Sequence, residues 1–496
     1  MPAPLPLPLR RQASLLVLPC LLACGCNLTV GRGPVSDFFL KDYDLPPFQL
    51  EEARFQRQRR LLVDEDVEAA AGGMGGFPGA VAGGRLRSWD AAASGALGGM
   101  AGATAGRTFS RAERDDPLPD EYPILSLALP IIATDPNKGP TLGLLPVVVM
   151  REGRRITNIL APDLTWNEID GLAGTFRMRR FFSRDAGLVL DVGISEEGAY
   201  DLDMVFSQRR VGPGDNLYFR ARTWYSTSLA NRFYGLGNDT DEDAESTYVL
   251  RHTEAVATLG IELPLFFSLE VQERLISNKV GPGRLDDVPS TKAAFPDVRG
   301  VNDDRLTILS HRVRLVFDSR DSRGAPSEGF FGEFSYEAGD ATTGGDVDFD
   351  RFSFAFTLLF PKLDKRLTTV VHAAGWLVLG KDLPFYVQTS IGGKDTHRGY
   401  GQGRFVGQNG FVASVEERWN VFEYELMDVR QILQLAGFVD IGRVYQRDES
   451  ITLDDLKVAA GAAIRLIVPD SELVAGIDLG ISDEGAAVFV GLNYPY

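Results

Sequence analysis

From about residue 121 onward, apolar side chains recur at every second position, and no other feature restricts the fold of this chain as much. In 188–195, Leu188, Leu190, Val192 and Ile194 share one face, while Val189, Asp191, Gly193 and Ser195 share the other. In 352–360, Phe352, Phe354, Phe356, Leu358 and Phe360 oppose Ser353, Ala355, Thr357 and Leu359. Val313, Leu315 and Phe317 alternate in the same way with Arg312, Arg314 and Asp318. A helix turns successive residues by about 100° and would scramble these sets, whereas a strand sends neighbours to opposite faces. The body of the chain therefore reads as β-structure with one apolar and one polar face.

Alternation alone does not name the solvent on the apolar side, and a soluble sandwich or propeller carries the same pattern. Segment length separates the two. Sandwich strands usually run about 5–6 residues, a tilted strand crossing hydrocarbon needs about 9–11, and the segments here run to about ten or more. Short turns at 137–140, 168–171, 183–187, 212–215 and 362–366 alternate with long polar gaps at 229–245, 280–304 and 382–409. Outer-membrane barrels divide short periplasmic turns from longer external loops in this manner. Closure also leaves no unpaired edge in lipid. No stretch beyond the N-terminus approaches the roughly 18 apolar residues of a spanning helix, so a helical membrane protein is excluded. The period marks about 18 candidate strands, and the first hairpin, at about 123–151, can lie before the barrel proper.

The N-terminus reads as an address. Arg10 and Arg11 precede the apolar run ASLLVLPCLLA at 13–23, which has the form of a secretory signal and is too short to span a bilayer. LLAC at 21–24 resembles a lipoprotein cleavage box, which makes Cys24 a possible lipidated first residue, with ordinary signal cleavage nearby as the alternative. The signal is assigned to 1–26. Residues 27–116 form a different region, in which 22 of the 36 residues from 71 to 106 are Gly or Ala. Such a segment cannot bury enough apolar surface to offset its ordering entropy and is expected to be a flexible extension. The barrel is expected at 117–496.

Composition narrows the function. Lys+Arg is 51 against Asp+Glu 68, a formal charge of -17, which argues against a nucleic-acid binder. All three cysteines lie at 20, 24 and 26, so the body carries neither a disulfide framework nor a thiolate metal site. The histidines, His252, His311, His372 and His397, are scattered, with no HExxH, and no G-x-S-x-G elbow occurs. The glycines of 399–407 miss the dinucleotide fingerprint. Asp239, Asp241 and Asp243 imitate a calcium loop, but Leu250 stands where its terminal Glu belongs. Lumenal carboxylates such as Asp191, Glu333 and Glu337 can imitate a hydrolase pair by chance. No enzyme, cofactor or metal is expected.

One constellation is more specific. IGGKDTHRGY (391–400) sits inside the long gap 382–409; ASVEERW (413–419) and GFVDIGRVY (437–445) follow, and NRFYGLGNDT (231–240) and FDSRDSRGAPSEGFF (317–331) precede. Together these resemble the ordered motifs of the bacterial surface-antigen family of outer-membrane barrels, the BamA/TamA-like group of Omp85 type. The terminal AAVFVGLNYPY, with Val488, Val490, Leu492, Tyr494 and Tyr496 alternating, resembles the C-terminal recognition signal of outer-membrane proteins.

The resemblance implies a transmembrane antiparallel barrel of about 16 strands whose long loop folds back into the lumen. There Arg398 would meet Glu416 and Asp440, Gly399 would let the tip turn tightly and pass near the wall, and Tyr400 would pack beside it. Phe438 and Gly442 belong to the same strand motif. Arginine suits this place, since its planar fork can serve two carboxylates at once. Family members that assemble or secrete proteins carry POTRA modules before the barrel, and 27–116 shows no such β-α-α-β-β pattern. The expectation is an integral protein of the bacterial outer membrane that assists insertion or translocation. The alternative is a POTRA-less pore, surface antigen or anchor. Expected partners are outer-membrane lipid and lipopolysaccharide, the barrel assembly machinery, and unfolded clients or a periplasmic protein.

Overall fold

The computed structural model describes residues 124–496, apart from 153–154, 184, 213, 286, 323, 427–428, 450–451 and 469–472. The expected signal, Cys24 and the Gly/Ala-rich extension lie outside the described residues. In chain order the strands are β1 (Ile124–Asp135), β2 (Gly139–Glu152), β3 (Arg155–Leu160), β4 (Asp163–Asn167), β5 (Gly171–Phe181), β6 (Ala186–Ser195) and β7 (Tyr200–Val211). Then come β8 (Leu217–Phe233), β9 (Ser246–Glu262), β10 (Phe267–Pro282), β11 (Leu306–Asp318), β12 (Gly329–Thr343), β13 (Asp348–Lys362) and β14 (Leu367–Gly380). The long loop holds a two-stranded ribbon, β15 (Thr389–Ile391) and β16 (Phe405–Gly407). The wall resumes with β17 (Asn409–Leu426), β18 (Val429–Tyr445), β19 (Lys457–Val468), β20 (Leu473–Ser482) and β21 (Gly485–Leu492).

Each wall strand pairs antiparallel with its sequence neighbours, and β21 returns to β1, so the sheet closes. β3 and β4 are two pieces of one stave, since both pair with β2 on one side and β5 on the other. Pro162 stands at the break, where a residue without N–H cannot continue the ladder. The barrel therefore has 18 strands rather than the 16 the resemblance implied. The hairpin β1–β2 is part of the wall, paired from Ile124–Met150 to Asp135–Gly139, and does not precede it. Among the described residues, no helix is long and apolar enough to cross a membrane.

The alternation sorts as its period requires. Val192, Ile194, Val313, Leu315, Phe354 and Phe360 stand exposed on the outer face. Asp191, Arg312 and Asp318, one residue out of phase with them, are buried within. Aromatic side chains gather at one rim of the outer wall, where Phe317 lies 4.8 Å from Phe267 and 5.5 Å from Phe330, and a second outward pair, Tyr336 and Phe352, stands midway along its strands with ring centroids 5.0 Å apart. The apolar face has an exception in the cross-strand pair Glu273 and His311, 2.6 Å apart.

The chain's last strand ends at the same rim as its first begins, and the long connections 233–246, 282–306, 380–409 and 445–457 all lie at the opposite rim. By the rule for outer-membrane barrels that rim is the external one. The division is not complete: the turns after β1, β4 and β6 are short and yet also lie there. Under the long loops an apolar cluster including Phe233, Tyr248, Val301, Phe349, Phe385 and Val406 packs the loops against the external ends of β8, β9, β13 and their neighbours.

Candidate functional site

The inner wall is built from charges that neutralise one another. Between β9 and β12, Arg274 donates to Glu254 at 2.7 Å and Glu337 at 2.6 Å, while Arg314 reaches Glu270 and Glu333, both at 2.6 Å. Arg222 grips Asp203 between β7 and β8, and Arg177 grips Asp163 between β4 and β5, with Asp191 at 3.8 Å from Arg177 Nε. The three carboxylates that could imitate a hydrolase pair, Asp191, Glu333 and Glu337, thus each face a guanidinium. Removing such ions from water is costly, and mutual pairing is what makes a charged interior tolerable.

A second, denser cluster lies between β17 and β20, and the long loop supplies its centre. Gly392 and Gly393, at φ 114° and 100°, bend the loop, and the Gly393 N–H donates to the Tyr400 carbonyl at 3.0 Å, closing the tip. Of the two parts expected of Gly399, a tight turn and a close pass by the wall, the structure places it in the second. Its φ is ordinary, and what it provides is close approach: a Cβ there would overlap that of Ala459 and lie 3.0 Å from Ser482 Cβ. The facing wall residue is also glycine, since a Cβ on Gly480 would overlap the Arg398 carbonyl oxygen.

This fit delivers Arg398 into the wall fully buried. Its backbone N–H and Nε donate to Asp440 Oδ2 at 3.0 and 2.8 Å, and Nη2 donates to Asp440 Oδ1 at 2.7 Å. Nη1 donates to Glu416 Oε2 at 2.5 Å and to Asp478 Oδ1 at 3.5 Å. Nη2 also meets Ser414 Oγ and the Tyr496 hydroxyl, each at 3.0 Å. The guanidinium plane lies over the Phe438 ring, 3.4 Å from its centroid. Gly442 leaves room beside it for His397, whose Cδ2 would be 3.1 Å from a Cβ there.

Sequence reasoning anticipated Glu416 and Asp440 and missed half of their company. Arg465 donates to Glu416 Oε1 at 2.6 Å and to Asp478 Oδ1 at 2.6 Å, and Arg418 Nε reaches Glu416 Oε1 at 2.6 Å. Three guanidiniums therefore interleave with three carboxylates. A signal was present: Arg465 in AAIRLIV and Asp478 in AGIDLGIS are each the single charge in a run of small and apolar residues.

Tyr494 and Tyr496 lie beyond the last strand. The terminal alternation does not run to the end as a strand, because β21 stops at Leu492 and Asn493 takes φ 65°. That turn carries both tyrosines inward. Tyr494 donates to Gln434 Oε1 at 3.0 Å under the Arg418 guanidinium, and Tyr496 stacks on His372 with ring centroids 4.3 Å apart.

Nearer the external rim, the Tyr400 hydroxyl donates to Asp483 Oδ1 at 2.5 Å in the turn after β20. That hydrogen bond holds the Asp483 carboxyl below its usual range. Burial pushes neighbouring Glu484 up, although Arg404 Nε donates to it at 2.8 Å. Asn238, from the acidic segment 238–245, donates to the Asp455 carbonyl at 2.6 Å and so ties that segment to the rim. No group of His, Asp or Glu among the described residues is arranged to hold a metal ion.

A closed antiparallel sheet with an apolar outer wall, a charged inner wall and an in-folded loop defines a transmembrane β-barrel of the outer-membrane class. Residues 176–475 match the Omp85 superfamily domain, and the chain belongs to that superfamily of bacterial outer-membrane proteins. It is similar in structure to BamA from Haemophilus ducreyi lacking POTRA domains 1–3, at 13% identity over 74% of this chain and 75% of that one, with a TM-score of 0.49. It is also similar to CdiB from Acinetobacter baumannii (14% identity, 75% of this chain, 59% of that one, TM-score 0.40) and CdiB from Escherichia coli (14%, 74%, 62%, 0.40). The chain thus spans less than two thirds of either CdiB. No curated protein matches the sequence.

Proposed function

We propose that this barrel acts on other polypeptides, assisting their insertion into or passage across the outer membrane, without enzymatic chemistry. The observation that supports this reading is the junction between its first and last strands. β1 pairs along its whole length with β2, and β21 pairs with β20 from Ala475–Leu492 to Ser482–Gly485. Between β1 and β21 a single position is paired, Thr134 opposite Val490. Each backbone hydrogen bond is worth about 0.5–1.5 kcal/mol net, so parting this seam costs little compared with parting any other. Parted, the two edges present unpaired N–H and C=O groups, to which a client strand can add by pairing.

In this reading the buried Arg398 cluster latches the loop to the wall beside the seam and keeps the lumen filled while the seam moves. Clients in extended form, and a periplasmic protein bound by the N-terminal extension, are its partners. The test is a cysteine pair, Thr134→Cys with Val490→Cys, in a body that has no other cysteine. Oxidation is expected to abolish client folding in reconstituted vesicles, with activity restored by reductant. Full activity in the oxidised, verified crosslink would refute the proposal. Steady single-channel conductance of the same crosslinked protein would instead favour the passive pore.

A further inference from the structure

The outer wall below the external rim is layered by chemistry across β7 to β11. Strand register aligns Tyr200 with Thr227, Thr227 with Arg251, and Arg251 with Lys279, one outward row crossing four strands. Arg284 and Arg305, from the chain just beyond β10 and just before β11, stand over this row. The next row toward the membrane centre runs Tyr225, Thr253, Ser277 and Thr307, every member carrying a hydroxyl. Ser277 Oγ and Thr307 Oγ1 are 3.0 Å apart, and Arg305 Nη1 lies 3.4 Å from Ser277 Oγ. Below these the wall is apolar, with Leu275 and Leu259 exposed. Directly opposed side chains in a sheet sit about 4.5–5.5 Å apart, so each row is a continuous band.

Four cations gathered on one outward patch run against the charge of the whole chain, which is -17. The patch surrounds a groove of about 450 Å³ lined by Tyr200, Tyr225, Arg251, Arg284 and Arg305. Carboxylates do little to satisfy these cations. Asp304 reaches Lys279 at 3.9 Å from an exposed position, Arg284 donates to the Glu197 backbone carbonyl, and Arg251 has no ion pair or hydrogen bond among the described residues.

We propose that this groove binds a phosphorylated glycolipid of the outer leaflet. The phosphate would lie among Arg251, Arg284 and Arg305, the sugar hydroxyls against the hydroxyl row, and the acyl chains along the apolar wall beneath. Guanidinium pairs phosphate through two parallel N–H donors, which a solvated surface does not require but a headgroup rewards. The layered order, cation above hydroxyl above hydrocarbon, matches an anchored amphiphile and has no counterpart in a free ion.

The test uses the full chain in phosphatidylcholine nanodiscs doped with bisphosphorylated lipid A or with its dephosphorylated form, and native mass spectrometry counts the retained lipid. Wild-type protein is expected to retain the phosphorylated lipid about tenfold more, a preference weakened by salt. The variant R251A/R284A/R305A is expected to lose that preference, and R251K/R284K/R305K to keep most of it. Equal retention of both lipids by the wild type would overturn the proposal, and this comparison needs no variant to fold. Unchanged preference in the alanine variant, shown to be folded by heat-modifiable migration, would overturn the assignment to this groove. Inorganic phosphate alone, titrated against the detergent-solubilised protein, is expected not to bind. Binding as tight as that of the lipid would identify a free-phosphate site instead.

Discussion

Two stretches of the barrel wall one strand apart are held together in opposite ways. From β17 to β20 the staves are joined by full ladders and by three arginines interleaved with Glu416, Asp440 and Asp478, the central arginine delivered by a loop. Between β21 and β1 there is one paired position. The crosslinks are therefore densest beside the weakest junction. A seam that parts next to a compliant wall would let the whole barrel shear, whereas beside a rigid one it can move alone. The comparison teaches where the barrel is built to stay closed.

The largest way to break the contrast is to remove the centre of the cluster. Arg398→Ala leaves Glu416 and Asp440 buried without their shared partner and is expected to cost about 3–5 kcal/mol, read as a lower midpoint in heat-modifiable gel migration. Arg398→Lys restores the charge but not the planar fork, and should recover only part of the loss. Wild-type melting and protease resistance in Arg398→Ala would show that the loop is held by something else. Gly480→Ala tests the fit of the loop tip without touching a charge. Its Cβ overlaps the Arg398 carbonyl oxygen, so about 1–3 kcal/mol is expected, with new protease cleavage in 392–404.

Smaller effects sharpen the other side. Tyr496→Phe removes hydroxyl contacts to Arg398 and Ser414 but keeps the ring on His372, so about 1 kcal/mol should be lost. Thr134→Ala, at the seam itself, is expected to change the melting midpoint by less than about 0.5 kcal/mol equivalent, since no ladder depends on its side chain. A larger change there than in Tyr496→Phe would reverse the ranking of the two regions.

Legibility in the sequence followed the same division. The period of two exposed the faces of nearly every strand, because lipid on one side and charge on the other leave no freedom in register. Thus Leu188 to Ile194 and Phe352 to Phe360 could be assigned outward from spacing alone. Arg398 with Glu416 and Asp440 was legible only through the ordered motifs, since a loop arginine has no periodicity to reveal its destination. Arg465, Asp478 and Gly480 were not drawn out, although each of the first two is the single charge in a run of small and apolar residues. The end of the last strand was not legible at all, because alternation continues through Asn493, whose positive φ turns the backbone while leaving the pattern of residue types intact. The count of staves erred through the resemblance, not through the pattern, which marked about 18 segments.

The buried loop tip also bears on the order in which the molecule is made. The partners of Arg398 come from β17, β18 and β20 and from Tyr496, all later in the chain than the loop itself. A guanidinium with no solvent exposure, held by side chains from three staves and the C-terminus, is hard to seat once those staves have closed around it. The last staves are then expected to curl around a loop already in position, with the join to β1 made last. Pulse-labelled protein captured during biogenesis should accordingly show protection at 392–404 before any crosslink forms between positions 134 and 490.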